Sequence, residues 1–542
     1  MLITRADIRG VGVRDLRFTP GDDPAAITHG DAGRITEITA AGERLVAEPG
    51  EDVLDARGGV LMPGLHDHHI HLRAAGAAAD SIDMRDLAGT TELAAALSAA
   101  ASTAASTNPE SRRLPAAGQP SGGDRGGDSE VGRRNSGEDQ GEWVRVVGYH
   151  DHGAPLLDRK TLDEISPPGV PVRVQHRGGA LWILNSAALD RLDDLDLAGG
   201  TLAHGTLARG TLAGAGLAGV DLEQGHLWRR DDLLRGITTA DPESLAHLAR
   251  RATQLGITGF TDATPNGGPD DAAALARDLR TARVKQRLHL MAPVGATEPA
   301  AASLGPVKVL LDDDALPALN DLAATITSAH QAGRPVAIHC VTRLQLVFTL
   351  AAFDGAGSRP GDRIEHGSII PPELIAHLRQ LRLTVVSQPH FVAERGDDYL
   401  VEVDPDDITS LYRLRSLVDA GVPVAAGTDA PFGRPDPWAS IAAAVQRRTP
   451  SGAVVGSTEA LGVDAAIDLY LGSPDDPANV REIRVGMPAD LCLLAISGTE
   501  LAELLREAST LTALPSDTGL PSGTSPPVAA TFIDGIQVHD AS

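Results

Sequence analysis

The chain has 542 residues and a formal net charge of −26, a length that accommodates a large catalytic domain plus an accessory domain. An acidic chain repels phosphate backbones and anionic lipids, so nucleic acids and membrane surfaces are poor partners, and a small-molecule substrate is favoured. Because the chain has only two cysteines, no visible signal segment and no apolar run of about 18 residues, we expect a cytoplasmic protein.

Short apolar runs broken by Gly, Pro and Asp occur at both ends of the chain, in residues 1–58 and 480–542. Such runs are typical of β-hairpins. We therefore expect strands from the two ends to pair in one β-sandwich domain.

The middle of the chain alternates short apolar runs with Ala- and Leu-rich amphipathic segments, which is the pattern of a parallel βα protein. The runs are 256–263, 287–293, 306–311, 335–340, 363–367, 383–389 and 422–430. Together with GVLMPGLHDHHIHL at 59–72 they make eight strands, the number that closes a (β/α)8 TIM-type barrel. The sequence thus predicts an α/β fold whose barrel domain covers 59–479.

An insertion subdomain of about residues 73–250 separates the first predicted barrel strand from the second. Its segment 104–141 is rich in Ser, Gly, Asp and Arg and has almost no apolar residues, so we expect a disordered surface loop. Residues 200–219 repeat the letters GTLA. We assign no chemistry to this repeat, since it accounts by itself for glycines that mimic a dinucleotide-binding motif.

Metal-type ligands lie at the ends of four predicted barrel strands, where parallel barrels carry their catalytic groups, and a fifth strand carries a lysine. They are His69 and His71, Lys308, His339, His366 and Asp429. Residues two apart on a strand point to the same face, so His69 and His71 can both face the barrel axis. Imidazole with carboxylate suits Zn²⁺ and similar divalent ions. A lone histidine at a strand end is more often a hydrogen-bonded wall residue, but the joint pattern predicts a metal site.

Several of these segments carry a family resemblance. PGLHDHHIHL at 63–72 resembles the first metal-binding signature of the metal-dependent amidohydrolase superfamily, and RIEHG at 363–367 and GTDAPF at 427–432 resemble its later histidine and aspartate motifs. GMPADLCLL at 486–494 resembles the segment that returns the chain to the superfamily's β-sandwich. The large insertion and the segment VKVLLDD at 307–313 resemble the branch that contains N-substituted formamide deformylases.

The resemblance implies a centre of one or two divalent ions, with Zn²⁺ as the expected metal. His69, His71 and Asp429 would bind the more buried ion, and His339 and His366 a second ion if one is present. A site with one ion, held by His69, His71, His339 and Asp429, stays open.

Lys308 would bridge the two ions as a carboxylated lysine, because a carbamate offers two oxygens at the spacing of two-metal sites. Of the 47 lysine and arginine residues only three are lysines, which suggests a role for Lys308 that arginine cannot fill. The alternative is an exposed lysine retained by chance. The chain departs from the branch at Asp313, where its relatives have glycine.

The predicted reaction is hydrolysis of an amide-type, non-peptide C–N bond of a small molecule by metal-activated water. Asp429 would take a proton from that water and pass it to the leaving nitrogen. A deaminase of an aminated ring is an alternative, although Thr342 stands where deaminases of the superfamily generally place a glutamate. A catalytically silent binding homologue is a second alternative. The sequence leaves open whether the chain forms a homo-oligomer.

Four further residues are weaker candidates for substrate binding, and the alternative for each of them is packing inside the fold. They are His150, His176, Trp182 and His390. Strand alternation puts Glu365 on the opposite face from His366, so we interpret Glu365 as a structural residue that faces away from the barrel axis.

Overall fold

A computed structural model describes most of the chain, namely residues 1–21, 33–79, 81–85, 89–107, 143–151, 154–197, 219–234, 241–265, 268–299, 301–507 and 526–541. The GTLA repeat up to residue 218 and the predicted loop from residue 108 lie outside these ranges, while residues 104–107 end a helix. The chain divides into a larger unit, Met1–Ala79 with Ala240–Ser542, and a smaller unit, Asp80–Thr239.

The described residues form strands and helices that alternate through most of the chain, which gives a mixed α/β fold. The strands are β1 (Leu2–Ile8), β2 (Gly12–Phe18), β3 (Ile35–Ile38), β4 (Val53–Asp55), β5 (Val60–Pro63), β6 (Leu65–Ile70), β7 (Ile82–Asp83), β8 (Val144–Tyr149), β9 (Val172–His176), β10 (Leu181–Leu184), β11 (Val220–Asp221), β12 (His226–Trp228), β13 (Ile257–Asp262), β14 (Arg287–Leu290), β15 (Ser303–Leu304), β16 (Val307–Val309), β17 (Val336–Cys340), β18 (Arg363–His366), β19 (Thr384–Ser387), β20 (Val424–Ala426), β21 (Leu491–Leu494), β22 (Val528–Ile533) and β23 (Ile536–Asp540).

The helices separate most of the parallel strands. They are α1 (Leu72–Ala79), α2 (Thr90–Thr107), α3 (Arg159–Ile165), α4 (Ser186–Leu197), α5 (Pro242–Gln254), α6 (Asp271–Thr281), α7 (Leu319–Gln331), α8 (Arg343–Ala356), α9 (Pro372–Leu381), α10 (His390–Glu402), α11 (Pro405–Ile408), α12 (Arg415–Asp419), α13 (Pro437–Gln446), α14 (Val463–Asp468) and α15 (Gly498–Glu507). Among the helices of the described segments, none has the length and apolar character needed to cross a bilayer.

Strands from both ends of the chain build one eight-stranded sheet of the larger unit. Its order is β23-β22-β21-β5-β1-β2-β3, and β4 pairs with β1. β1 and β2 form an antiparallel hairpin, as do β22 and β23, and β5 joins the two ends by pairing with β21. The rings of Phe18 and Phe532 meet edge to face, with centroids 5.2 Å apart, in the core of this sheet. The sheet includes β5 and so extends past residue 58, while a sandwich arrangement stays a prediction.

Two all-parallel sheets follow in the larger unit. β15, β14, β13 and β6 are neighbours in one, and β16 to β20 are neighbours in chain order in the other. Each of the seven apolar runs contains one of these strands. Five of the six predicted metal ligands lie at or just beyond the C-terminal ends of strands in these sheets, and the sixth, Lys308, is the central residue of β16.

Helix α5 illustrates why the segments between these strands are helical. Asp241 caps its N-terminus by accepting a hydrogen bond from the backbone nitrogen of Glu243, and Pro242 occupies the first turn, where no intrahelical donor is needed. Leu245 and Leu248 follow at helical spacing and are buried in the main apolar core.

The C-terminal end of β6, together with the residue that follows it, is joined by hydrogen bonds to the segment after β20. The backbone nitrogen of Asp429 donates to the carbonyl of His69 at 2.6 Å, and that of His71 donates to the carbonyl of Ala430 at 2.9 Å. A Cβ at Gly427 would overlap the backbone of His69, so only glycine permits this close approach. Two segments with predicted metal ligands therefore lie side by side.

The smaller unit has its own six-stranded sheet, in the order β11-β12-β10-β9-β8-β7. β7, β8 and β9 are parallel to one another, and the remaining pairs are antiparallel. Apolar residues of α2, α3 and α4 pack with this sheet in two clusters that contain no residue of the larger unit.

Candidate functional site

Asp429 lies at the centre of a cluster of histidines in the larger unit. Its Oδ1 atom is 3.1 Å from Nε2 of His71 and 3.5 Å from Nε2 of His69, and its Oδ2 atom is 3.9 Å from Nδ1 of His366. One ligand atom each of His69, His366 and Asp429 lies within 4.8 Å of the other two. Three nitrogen and oxygen ligands at this spacing are able to surround one divalent ion.

His339 and Lys308 adjoin this cluster from the neighbouring strands β17 and β16. The ring of His339 contacts that of His366, with centroids 4.5 Å apart. Lys308 is buried, and its Nζ atom has no hydrogen-bond partner among the described residues. Burial lowers the pKa of Lys308, and the negative charges of Glu365 and Asp429 oppose this change. All six predicted ligands thus belong to one region of the larger unit.

The electrostatics of the cluster favour neutral imidazoles around a charged carboxylate. Burial lowers the pKa of His69 to about 3 and also lowers the pKa values of His339 and His366. Burial alone would raise the pKa of Asp429, but its hydrogen bond with His71 contributes most to lowering it. Neutral histidine and ionised aspartate are the protonation states in which these side chains bind metals.

Two of the predicted ligands adopt backbone conformations that are uncommon for residues other than glycine. His366 has a φ of 70° and Asp429 a φ of 51°, both in the left-handed region. Such conformations cost free energy and concentrate at functional sites, where surrounding contacts hold them in place. Here they turn two polar side chains into the same cluster.

Our interpretation of Glu365 as a residue that faces away from the site was wrong. Glu365 is fully buried and hydrogen-bonds both Nδ1 of His69 and the guanidinium of Arg363. Arg363 and Glu365 share one face of β18, whereas Ile364 points to the apolar core on the other. His366, at the strand end, is the residue that breaks the alternation, because of its positive φ. The charged pair flanking Ile364 was the sequence signal for this face.

The sequence analysis also missed Asp67, which lies two residues before His69. Asp67 is buried and accepts hydrogen bonds from the backbone nitrogens of His69 and Thr428, at 3.2 and 2.9 Å. A carboxylate inside a run of histidines was the available signal, since it supplies the acceptors that the neighbouring backbone needs.

His390, one of the weaker candidates for substrate binding, is the first residue of α10. Its Nδ1 atom lies 3.2 Å from the hydroxyl of Ser440, and its Nε2 atom lies 2.9 Å from the carbonyl of Thr428. With both ring nitrogens engaged and the side chain buried, His390 has no nitrogen left for the substrate contact that we predicted. It stabilises the segment before Asp429 instead.

A second cluster of metal-type residues lies in the smaller unit, at the ends of the parallel strands β8 and β9. Nε2 of His150 and Nε2 of His176 lie 3.8 and 3.5 Å from Oδ1 of Asp151, and the three ligand atoms lie within 4.8 Å of one another. The backbone nitrogen of Gly178 donates to Nδ1 of His176 at 3.2 Å. Since a neutral ring carries one proton, this bond puts it on Nε2, which favours a hydrogen bond to Asp151 over a metal bond.

Trp182 packs inside the smaller unit. Its indole nitrogen donates to Asp231 at 2.8 Å, and the guanidinium groups of Arg145 and Arg173 lie 5.5 and 5.4 Å from its ring. These contacts agree with the packing alternative for Trp182. Substrate binding by His150, His176 and Trp182 stays a prediction.

Comparisons with known proteins agree with this geometry. A family model described as an amidohydrolase family matches residues 52–539. N-substituted formamide deformylase of Arthrobacter pascens is 25% identical over 536 residues, which cover 88% of each chain. The YtcJ protein of Bacillus subtilis (strain 168) is 29% identical over 154 residues, so the match spans 28% of this chain and 29% of that protein. The crystal structure of an uncharacterized metal-dependent hydrolase from Pyrococcus horikoshii OT3 has the same fold, with a TM-score of 0.59 at 17% identity over 92% of this chain and 97% of that one.

Proposed function

Because this chain belongs to the amidohydrolase family and is an enzyme that acts on C–N bonds, we propose that it hydrolyses an amide-type, non-peptide C–N bond of a small molecule. The main support is the convergence of ligand atoms from His69, His366 and Asp429 within 4.8 Å. N-substituted formamides are the first substrate class to test, since a deformylase of such compounds aligns over 88% of both chains. The products would be a carboxylic acid and an amine.

The residues of the cluster fit a divalent metal ion. Nε2 of His69 is buried and has no hydrogen-bond partner among the described residues, although it lies 3.5 Å from Oδ1 of Asp429. Buried polar atoms almost always have a hydrogen-bond partner, so the unpaired Nε2 atom is consistent with a metal ion that accepts its lone pair. His69, His71 and Asp429 would hold one ion, and His339 and His366 a second. Imidazole and carboxylate ligands make Zn²⁺ the expected metal.

A divalent ion bound here would activate water and polarise the substrate carbonyl. Asp429 would accept a proton from the attacking water and deliver it to the leaving nitrogen. Its carboxylate is ionised and therefore able to accept that proton, and its Oδ1 atom lies 3.1 Å from Nε2 of His71. The backbone hydrogen bond from Asp429 to the carbonyl of His69 fixes the position of this carboxylate along the strand ends.

We propose that Lys308 is carboxylated. The neutral amine would attack CO₂, a C–N bond would form, and one proton would leave the nitrogen to give a carbamate. Burial, the absence of a hydrogen-bond partner for Nζ among the described residues, and the neighbouring histidine cluster support this role. Metal-depleted protein should regain activity with Zn²⁺ faster when bicarbonate is present, and a Lys308→Arg variant should lose this dependence. Equal recovery without CO₂ would reject carboxylation.

We also propose that the two parallel sheets form one closed (β/α)8 barrel. The backbone hydrogen bonds between the segments after β6 and β20 support closure on one side. On the other side, β15 and β16 are separated by only two residues, so one interrupted strand would serve as the fourth of eight.

The position of Thr342 argues against a deaminase. Its hydroxyl caps α8 by accepting a hydrogen bond from the backbone nitrogen of Gln345 at 3.1 Å, and it donates to Asp313 at 3.0 Å. A capping threonine is not able to serve as the acid and base that the deaminase alternative assigns to a glutamate.

The proposal is tested by metal analysis of the purified protein together with assays of formate and amine release from N-substituted formamides, N-acyl amines and cyclic amides. We expect bound zinc and hydrolysis of at least one class. Asp429→Asn should lower kcat by about 10²–10⁴-fold, the usual contribution of general acid–base catalysis. Asp354→Asn, which alters an exposed aspartate–histidine pair, is the matched control and should leave kcat unchanged. Protein that stays metal-free and inactive after incubation with Zn²⁺ would overturn the proposal.

A further inference from the structure

We infer that Glu365 is a positioning residue that fixes which ring nitrogen of His69 faces the metal and raises the affinity of that nitrogen for the ion. The inference rests on the metal site of the proposed function. It concerns a residue that the sequence pattern alone assigned to the wrong face of β18.

The hydrogen bond between Glu365 and Nδ1 of His69 determines the tautomer of the ring. Both side chains are fully buried, so water does not compete for either of them. The guanidinium of Arg363, which stays charged in proteins, donates to both carboxylate oxygens of Glu365, so this carboxylate is paired with a cation and accepts hydrogen bonds. The proton of His69 is therefore on Nδ1, and the lone pair is on Nε2, the atom 3.5 Å from Asp429.

Arg363 holds Glu365 in this position. Its Nε atom donates to Glu365, and its terminal nitrogen donates to the carbonyl of His68 at 2.6 Å. One guanidinium thus links the carboxylate on β18 to the backbone of β6, one residue before His69. A buried ion pair is costly to desolvate and contributes little net stability, so stability alone does not explain its presence beside a metal ligand.

Gln388 provides an internal comparison for this role. Its Oε1 atom lies 2.8 Å from Nδ1 of His366, so it accepts from this ring with a neutral group. Its side-chain nitrogen donates to the carbonyl of Val386 at 3.3 Å, which directs the oxygen towards the histidine. The partner of His366 therefore orients its ring, whereas the partner of His69 orients the ring and adds negative charge. A carboxylate partner makes the imidazole a stronger electron donor to a metal.

The test compares Glu365→Gln, which keeps the acceptor and removes the charge, with Glu365→Leu, which removes both. Affinities for Zn²⁺ and Co²⁺ are measured by competition with a chelator, and the Co²⁺ absorption spectrum reports the ligand field. Removal of such partners typically lowers metal affinity by about 10–100-fold, so we expect about tenfold for Glu365→Gln and about 100-fold for Glu365→Leu, with shifted Co²⁺ bands.

Glu459→Gln is the matched control. Glu459 is a buried carboxylate bound to Arg413 at 2.8 Å in the same unit, without contact to the histidine cluster. This variant should lower the melting temperature of the metal-free protein and leave metal affinity and the Co²⁺ spectrum unchanged. If Glu365→Gln leaves Arg363 unpaired and fails to fold, the double variant Arg363→Met/Glu365→Gln removes both charges.

The outcomes separate this inference from the proposed function. If the unaltered protein binds neither Zn²⁺ nor Co²⁺, the metal site itself is wrong. If the unaltered protein binds these ions and Glu365→Gln has the same metal affinity and Co²⁺ spectrum, the proposed role of Glu365 is wrong, whereas the proposed metal site is retained. ¹⁵N NMR of histidine-labelled, metal-free protein gives a variant-independent result: we expect the proton of His69 on Nδ1, and a proton on Nε2 would overturn the inference.

Discussion

Thr428 donates two hydrogen bonds to Asp67, from its backbone nitrogen to Oδ1 at 2.9 Å and from its hydroxyl to Oδ2 at 2.5 Å. Asp67 precedes the proposed ligand His69 by two residues, and Thr428 directly precedes the proposed ligand Asp429. One buried carboxylate therefore joins two segments that are far apart in the sequence and meet at the proposed metal site.

Thr428→Val should weaken this connection. The substitution keeps the shape of the side chain but leaves Oδ2 of Asp67 buried without its hydroxyl donor, which costs about 1–3 kcal/mol of unfolding free energy. Chemical denaturation of the metal-free protein measures this loss, and zinc affinity should fall as well because Asp429 becomes less fixed. Thr325→Val, at an exposed helical position, is the control and should change neither quantity. Equal stabilities of the two variants would contradict the proposed role of the bond.

Gly427→Ala should disturb the contact between the segments after β6 and β20. Its Cβ would overlap the backbone of His69, and because backbone atoms cannot rotate away, we expect a loss of about 1–3 kcal/mol, the usual range for overpacking. Zinc content after dialysis should fall in parallel. A Cβ at Gly462 meets no atom within 4 Å, so Gly462→Ala should be close to neutral. A stable, fully metallated Gly427→Ala protein would show that the two strands are further apart than described.

Arg287→Leu should destabilise the larger unit strongly. Arg287, on β14, forms ion pairs with Asp490 and Asp534, next to β21 and β22, and both carboxylates are largely buried. Removing one partner of a buried ion pair typically costs about 3–5 kcal/mol, because the remaining charge is left without compensation. Arg250→Leu breaks an exposed pair with Glu243, for which about 0–1 kcal/mol is expected. Urea denaturation of the two variants should give clearly different midpoints.

The two cysteines should be unreactive in the folded protein. Cys340 and Cys492 are fully buried, and burial raises the pKa of each thiol to about 12. Since the thiolate is the nucleophile, iodoacetamide at pH 8 should label neither residue in native protein and both in guanidinium chloride. A Thr325→Cys variant supplies an exposed thiol as a positive control. Native labelling of either buried cysteine, detected by mass spectrometry, would contradict its burial.

The same shift gives a pH dependence of stability. An unfolded thiol ionises near pH 8.5, while the folded ones hold their protons to about pH 12, so the folded state binds more protons between these values. The contribution of these thiols to the free energy of unfolding is therefore fully present below about pH 8.5. Above that pH it falls by about 1.4 kcal/mol per pH unit for each thiol. A Cys340→Ala/Cys492→Ala variant should show a shallower decline between pH 9 and 11 than the unaltered protein.

The sequence was sufficient to predict eight of the nine strands in the two parallel sheets, because each of the eight is a short apolar run between amphipathic segments, whereas the two-residue strand β15 lies in none of these runs. The same pattern put His69, His339 and Asp429 at or near strand ends, where they are found. The family model and the deformylase relative confirm the family that the motif around His69 indicated. The strands, the residues at their ends and the family depend on local periodicity and on short motifs, both of which are visible in the sequence alone.

The orientation of individual side chains was harder to predict. The alternation rule placed Glu365 on the wrong face because it assumed that His366 continues the regular strand. The positive φ of His366 interrupts that regularity, and a two-residue pattern in the sequence does not predict it. The hydrogen bonds of His390 with Ser440 and Thr428 join residues far apart in sequence, so no local signal reports them. Long-range contacts thus decide which polar side chains are free to bind a metal or substrate and which ones hold neighbouring residues in place.

His71 and Asp429, which lie 3.1 Å apart, are separated by 358 positions in the chain. A ribosome that adds about 5–20 residues per second needs roughly 20–70 s to pass from one to the other. During that interval the nascent polypeptide carries the histidine pair without its carboxylate, and any ion it captured would lack part of its final coordination. If these residues bind a metal as proposed, the ion would gain its full set of ligands only after Asp429 has been synthesised.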